Sequence, residues 1–126
     1  MFNHVMVGTN DAKSAKKFYD SVLRTLGISH GDFSEEKQRV YYRTPDGSFM
    51  VTKPIDGNPA TVGNGVTIGF KCTSEEQALA FHDAAVKAGG TSIEEPPGWR
   101  TNGDKRLYLA YVRDLDGNKL NAMFRE

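Results

Sequence analysis

The chain is built twice from the same plan. Tyr41 to Val51 reads YYRTPDGSFMV, and Tyr111 to Phe124 reads YVRDLDGNKLNAMF. An offset of 70 lays Tyr41 on Tyr111, Arg43 on Arg113, Asp46 on Asp116 and Gly47 on Gly117. Each stretch is an alternating apolar run broken by Asp-Gly, the signature of a β-hairpin. A second correspondence runs at an offset of 63, from HVMVGTNDAKSAKKFYDSVLRTLG at His4 to TIGFKCTSEEQALAFHDAAVKAGG at Thr67. It sets Ala15 on Ala78, Phe18 on Phe81, Asp20 on Asp83 and Gly27 on Gly90. The offsets differ by 7, so the second copy carries seven extra residues, within EEPPGWRTNGDKR around Trp99. Two copies of about sixty residues are too few for a solenoid and predict a duplicated module closing one domain. The boundaries fall at 1–55 for module one, 56–65 for a linker and 66–126 for module two.

Local patterning fills in each module. Phe2 to Val7 alternates as a strand, with Val5 and Val7 on one face and His4 and Met6 on the other. Asp11 stands at an N-cap position. Ala12, Ala15, Phe18, Tyr19, Val22, Leu23 and Leu26 then recur at helical spacing until Gly27. Ser29 to Lys37 is polar and reads as a loop with a short edge strand; Arg39–Thr44 and Ser48–Lys53 flank the first turn. PIDGNPATVGNG, from Pro54 to Gly65, has no periodicity and reads as the linker. In module two, Val66–Cys72 is a strand, and Ser74 with Gln77 forms a capping box. The helix runs to Gly89-Gly90, Thr91–Ile93 is a short strand, and Lys105–Arg113 and Asn118–Phe124 close the chain. The insertion reads as a loop. The fold class is therefore α+β: two tandem βαβββ modules in an eight-stranded cup with helices outside.

Composition narrows the function classes. Sixteen basic residues balance sixteen acidic ones, with no block of like charge, which argues against nucleic acid or an anionic membrane surface as partner. A single cysteine, Cys72, leaves no pair for an internal disulfide and suits a reducing compartment. The chain shows no signal-peptide pattern and no long apolar span, so the expected location is cytoplasmic.

Amphipathic helices must bury their apolar stripe, so strand positions facing them should be apolar. Val5, Val7, Met50, Ile68, Phe70, Leu120, Ala122 and Phe124 are assigned to that side. The alternate set, His4, Met6, Phe49, Val51, Lys53, Thr67, Gly69, Lys119, Asn121 and Met123, then forms the inner face, the natural pocket. Trp99 and Arg100 on the insertion are placed to lid it, and Tyr108 and Met123 to line it. Lys53, Arg100, Arg106 and Lys119 offer an anion a landing place or are plain rim charges. His82 reads as a packing or surface residue and Cys72 as a buried structural thiol. Both Asp-Gly pairs read as turn chemistry alone.

HVMVGTNDAKSAKKFYDSVL, GNGVTIGF and YVRDLDGNKLNA resemble the vicinal-oxygen-chelate superfamily of glyoxalase I, extradiol dioxygenases and bleomycin-resistance proteins. The likeness spans the chain and implies paired βαβββ modules assembled as a homodimer. In the family's enzymes it further implies a divalent metal (zinc, nickel, iron or manganese), held by an inner-face residue from the first and last strand of each module. Carried through the repeat, those positions are His4, Val51, Thr67 and Asn121. The Thr67 position is commonly histidine and the Asn121 position commonly glutamate in the metalloenzymes. Valine has no donor atom, and threonine and asparagine are weak neutral ligands, so this set is poor for a transition metal.

Two function classes follow. One is a metal-free small-molecule binder, with no cofactor, lined by His4, Met6, Val51, Thr67, Trp99, Arg100, Tyr108, Asn121 and Met123. The other is a divergent metal-dependent lyase or dioxygenase that uses His4. A third possibility is a dimeric fold whose cavity is filled by its own Met6, Phe49 and Met123.

Overall fold

A computed structural model describes all of residues 1–126. The chain forms two α+β halves. The first holds β1 (His4–Gly8), α1 (Ala12–Arg24), β2 (Asp32–Ser34), β3 (Arg39–Thr44) and β4 (Gly47–Thr52). The second holds β5 (Ile68–Lys71), α2 (Glu75–Lys87), β6 (Thr91–Ser92), β7 (Gly98–Asn102), β8 (Lys105–Arg113) and β9 (Lys119–Arg125). The first sheet has the order β1-β4-β3-β2; the second runs β5-β9-β8-β6, with β7 also paired to β8. In each sheet the first strand lies parallel to the last, and hairpin partners are antiparallel. The architecture is the two-module cup, with nine strands rather than eight. The ninth is β7, in the insertion read above as a loop.

Both helices start where their caps require. Asp11 accepts from the Ser14 N–H at 3.1 Å and Ser74 from the Gln77 N–H at 3.1 Å, each satisfying one amide that the first turn leaves open. The Gln77 carboxamide reaches back to the Thr73 N–H and also donates to Thr25 O at 3.1 Å. It thereby ties the start of α2 to the end of α1.

One core serves both halves. Phe18, Tyr19, Val22 and Leu23 of α1 pack with Val40, Tyr42, Phe49 and Val51, while Ala78, Phe81 and Ala85 of α2 join Ala110, Val112, Leu120 and Ala122. Phe49 and Phe70 meet across the seam at 5.3 Å, and each packs on its own helix, Tyr19–Phe49 at 5.0 Å and Phe70–Phe81 at 5.4 Å.

This packing corrects the face assigned to β4. Val5 lies beside Phe49 and Val7 beside Val51, and cross-strand neighbours share a face. Phe49 and Val51 therefore point to the helices, and Met50 points away with Met6. The cause is a turn of unequal length. Tyr41 pairs with Met50 and Tyr111 with Asn121, so the offset of 70 before the turn becomes 71 after it. Side chains alternate with a period of two, so one added residue reverses every later assignment. In the second sheet Ile68, Phe70, Leu120 and Ala122 face the helices, as the alternation predicts.

Candidate functional site

The longer turn, Asp114 to Asn118, does more than reverse the chain. Asp114 and Asn118 are both buried. Asp114 accepts from the Tyr19 hydroxyl at 2.5 Å, and from the N–H groups of Asp116 at 2.9 Å and Asn118 at 2.8 Å. Asn118 Nδ2 donates to Gly8 O at 3.0 Å, and Asp116 accepts from the Asn10 N–H at 2.8 Å. The turn is a latch from module two onto β1 and α1 of module one. Reading Asp116-Gly117 as turn chemistry alone therefore missed its tertiary role. Burial, and then the Asp114 charge, drives the Tyr19 phenol well above its ordinary range.

The matching end of the seam has no such latch. Thr44 stands where the offset of 70 places a partner for Asp114, and its hydroxyl bonds only within its own turn, to Gly47 O at 2.8 Å. Tyr19 is matched by His82, whose Nε2 lies 2.9 Å from Ser92 Oγ instead. A recess of about 630 Å³ lies at this end, bounded by the first hairpin turn, Phe2–Val5, Leu26–Ser29 and the edge of β5. A second recess of about 620 Å³ shares Gly69, Phe70 and Lys71 with the first and adds Cys72, Met123, Arg125 and Glu126. The two meet at β5, which pairs on one side only.

His4 lines the first recess. It is exposed, and its Nδ1 lies 2.8 Å from Asn3 Oδ1. Met6 shares its face and is 43% exposed. Thr67 is exposed and precedes β5. Asn121 and Met123 lie on the face of β9 away from the helices, beside Gly69 and Lys71. The remaining candidates lie elsewhere. Val51 is fully buried in the core under α1. Tyr108 is buried on the helix side. Trp99, its partner in the β7–β8 ladder, donates its indole N–H to Glu75 at 2.7 Å and stacks under Arg106 at 4.4 Å. Trp99 is a wedge between β7 and α2, not a lid. Arg100 donates to Pro96 O at 2.9 Å and holds its own loop.

Two of the four charges proposed for an anion are paired with carboxylates, whereas Lys53 and Arg100 are not. Lys119 pairs with Glu94, and Arg106 with Glu126 at 3.1 Å. Lys71, which the alternation left without a role, opens onto both recesses. Arg125 opens onto the second.

Asn121 lines neither recess, but it is the register partner of Gly69, which lines both. The Asn121 side chain is 5% exposed, and Oδ1 has no hydrogen-bond partner. A Cβ on Gly69 would come within 2.8 Å of that oxygen, so a glycine here leaves the notch that Oδ1 occupies. A buried, unpaired acceptor costs about 1–3 kcal/mol and marks a place where a donor is missing.

The residues do not fit the family's divalent metal. The corrected register puts Met50, not Val51, opposite Asn121 in the repeat, and His4, Met50, Thr67 and Asn121 offer one imidazole and no carboxylate. No group of three or more His, Cys, Asp or Glu side chains converges anywhere in the chain. Burial pushes the Cys72 thiol up from its ordinary value, as expected of a structural thiol.

Two α+β modules paired in a cup have the glyoxalase type of fold. The family model for the Glyoxalase/Bleomycin resistance protein/Dioxygenase superfamily matches residues 1–122, and the chain belongs to that family. It is 54% identical to a glyoxalase/bleomycin resistance protein from Albidiferax ferrireducens T118, with 99% of each chain covered and a TM-score of 0.94. A glyoxalase-related enzyme from Fulvimarina pelagi shares the fold at 16% identity and a TM-score of 0.72, covering 98% of this chain and 87% of that one. So does a glyoxalase/bleomycin resistance protein/dioxygenase family enzyme from Burkholderia phytofirmans PsJN, at 16% identity and a TM-score of 0.71, covering 97% and 96%. No curated protein matches the chain. No helix is long and apolar enough to cross a membrane.

Proposed function

We propose that this protein binds a small organic molecule along β5, without a divalent metal cofactor. The observation that carries this reading is the unpaired, buried Asn121 oxygen beside the Gly69 notch. An acceptor in that state gains from a ligand N–H or O–H. A ligand that binds only the folded state raises the melting temperature by mass action. Thermal-shift screening of aromatic and antibiotic compounds should therefore find stabilising ligands, and Asn121→Leu should reduce their shifts. A library that never moves the wild-type melting temperature would count heavily against the reading.

A metal-dependent lyase or dioxygenase rests on His4, whose Nδ1 is engaged by Asn3 and whose Nε2 is left available. Elemental analysis of protein from metal-supplemented medium decides between the two. Well under one metal per chain is expected; a stoichiometric metal would give the enzyme reading the lead.

The reading includes a homodimer. The sheet faces away from the helices carry Met6, Tyr41 and Met50 in one half, and Leu107, Leu109, Tyr111 and Met123 in the other. Met6 is exposed and the other six are half-buried. A second copy is the partner that would cover both faces at once.

A further inference from the structure

We propose that Ser92 is a nucleophile that His82 activates, and that it accepts a short acyl group from an activated ester. The pair bridges α2 and β6, outside both recesses. Of the seven serines in the chain, only Ser92 has its hydroxyl on an imidazole, 2.9 Å from His82 Nε2. Ser92 is exposed, whereas His82 is 7% exposed. A reagent can reach the hydroxyl while the base behind it is held in place. Ser92 is the register partner of Val112, and Val112 of Leu120, both fully buried under the helices. Cross-strand neighbours share a face, so the hydroxyl lies on the helix side, opposite the face assigned to a second copy.

Two further features suit acyl transfer. The Asp83 carboxylate stands 3.9 Å from His82 Nδ1. Its charge favours the proton on that nitrogen, which leaves Nε2 to accept from Ser92. Burial keeps the imidazole in its neutral, basic form against the smaller pulls of Asp83 and the Tyr111 carbonyl. The second feature is a backbone donor. The Ile93 N–H is taken by Tyr111 O at 3.3 Å, so the Ser92 N–H, one residue back, points away from β8. Strand β6 ends its sheet, and this N–H is open beside Oγ, where it can meet the oxygen that gains charge during attack. In the step itself Oγ bonds to the ester carbonyl carbon and Nε2 takes the hydroxyl proton. The bond from that carbon to the leaving oxygen then breaks, and the proton passes from Nε2 to the departing phenoxide. Neither recess reaches Ser92, so binding adds little and the leaving group must be a good one, an aryl ester rather than an amide.

The probe is p-nitrophenyl acetate, read by peptide mass mapping. Trypsin releases Ala88–Arg100, which holds Ser92 as its only serine and has no lysine; fragmentation separates Ser92 from Thr91. Ser29, the other exposed serine, has no imidazole on its hydroxyl and serves as the internal reference. Ser92 should acquire acetyl roughly a hundredfold faster than Ser29, the lower end of what a general base contributes. His82→Gln should bring Ser92 down to the reference rate, and Ser92→Ala, at an exposed position, should remove the mark. Circular dichroism reports whether each variant is folded. Unfolding the wild type in guanidinium separates the pair without any substitution, so it should level the two rates even if the glutamine variant does not fold. Acetylation of Ser92 no faster than Ser29 overturns the proposal. So does a fast rate that persists in folded His82→Gln or in the unfolded chain. The site is separate from β5, and either result leaves the binder reading as it stands.

Discussion

Tyr19 and His82 occupy equivalent places in the two helices and do opposite things. Tyr19 donates a hydrogen bond from its hydroxyl to the buried Asp114 across the seam at 2.5 Å. Tyr19→Phe removes that donor while the carboxylate stays buried, and should cost about 1.5–3 kcal/mol in denaturant unfolding, because the acceptor is charged. A loss under 0.5 kcal/mol would show that the latch is weak. His82 turns instead to Ser92, and burial holds its imidazole below the ordinary 6.5 against a smaller opposing pull from Asp83. The folded protein thus binds this proton more weakly than the unfolded chain does. Its contribution to stability is complete above pH 6.5 and is lost as the pH drops through the lower, folded-state value, at about 1.4 kcal/mol per unit of depression. Stability measured by denaturant unfolding should fall more steeply from about pH 8 to about pH 5 for wild type than for His82→Gln, and parallel curves would contradict this.

At the scale of the element, the helices were the most legible part of the chain. Their caps, apolar stripes and glycine stops all sit within one short window, and local physics decides them. Phe18 and Phe81, matched by the repeat, are 1% and 0% exposed. Phe18→Ala and Phe81→Ala should each cost about 3–5 kcal/mol, measurable by chemical denaturation. The strands were harder to read. The turn at Pro45-Asp46 spans two residues between paired Thr44 and Gly47, whereas the latch spans five between Arg113 and Lys119. The shared Asp-Gly concealed that difference, and with it the facing of Phe49, Met50 and Val51. The β7–β8 hairpin did leave a signal. Gly103-Asp104 closes it between paired Asn102 and Lys105, with Gly103 at φ +65°, the positive φ that glycine supplies at the first position of a two-residue hairpin loop. The prolines ahead of it weighted the insertion toward loop.

For the whole molecule, the fold class followed from the duplication, but the site did not. A recess depends on which end of the seam is latched, and that is decided by contacts such as Asn118 to Gly8, 110 positions apart. The resemblance marks Asn121 as a ligand position, but only the tertiary structure shows that its oxygen is buried without a hydrogen-bond partner. The outward sheet faces carry their own test. Sedimentation should give a dimer, and Met6→Asp or Leu109→Asp should shift it to monomer while leaving the circular dichroism unchanged. A wild-type monomer at micromolar concentration would remove the second copy from the proposal.

The latch also dictates an order of events. Tyr19, Gly8 and Asn10 receive their partners from residues 114 to 118, so module one stays incomplete until those residues have been synthesised. Contacts of such sequence separation form late and slow the folding rate. During translation the first half should therefore emerge as a loosely packed intermediate open to proteases, and the ribosome should release a protein that becomes compact in one closing step.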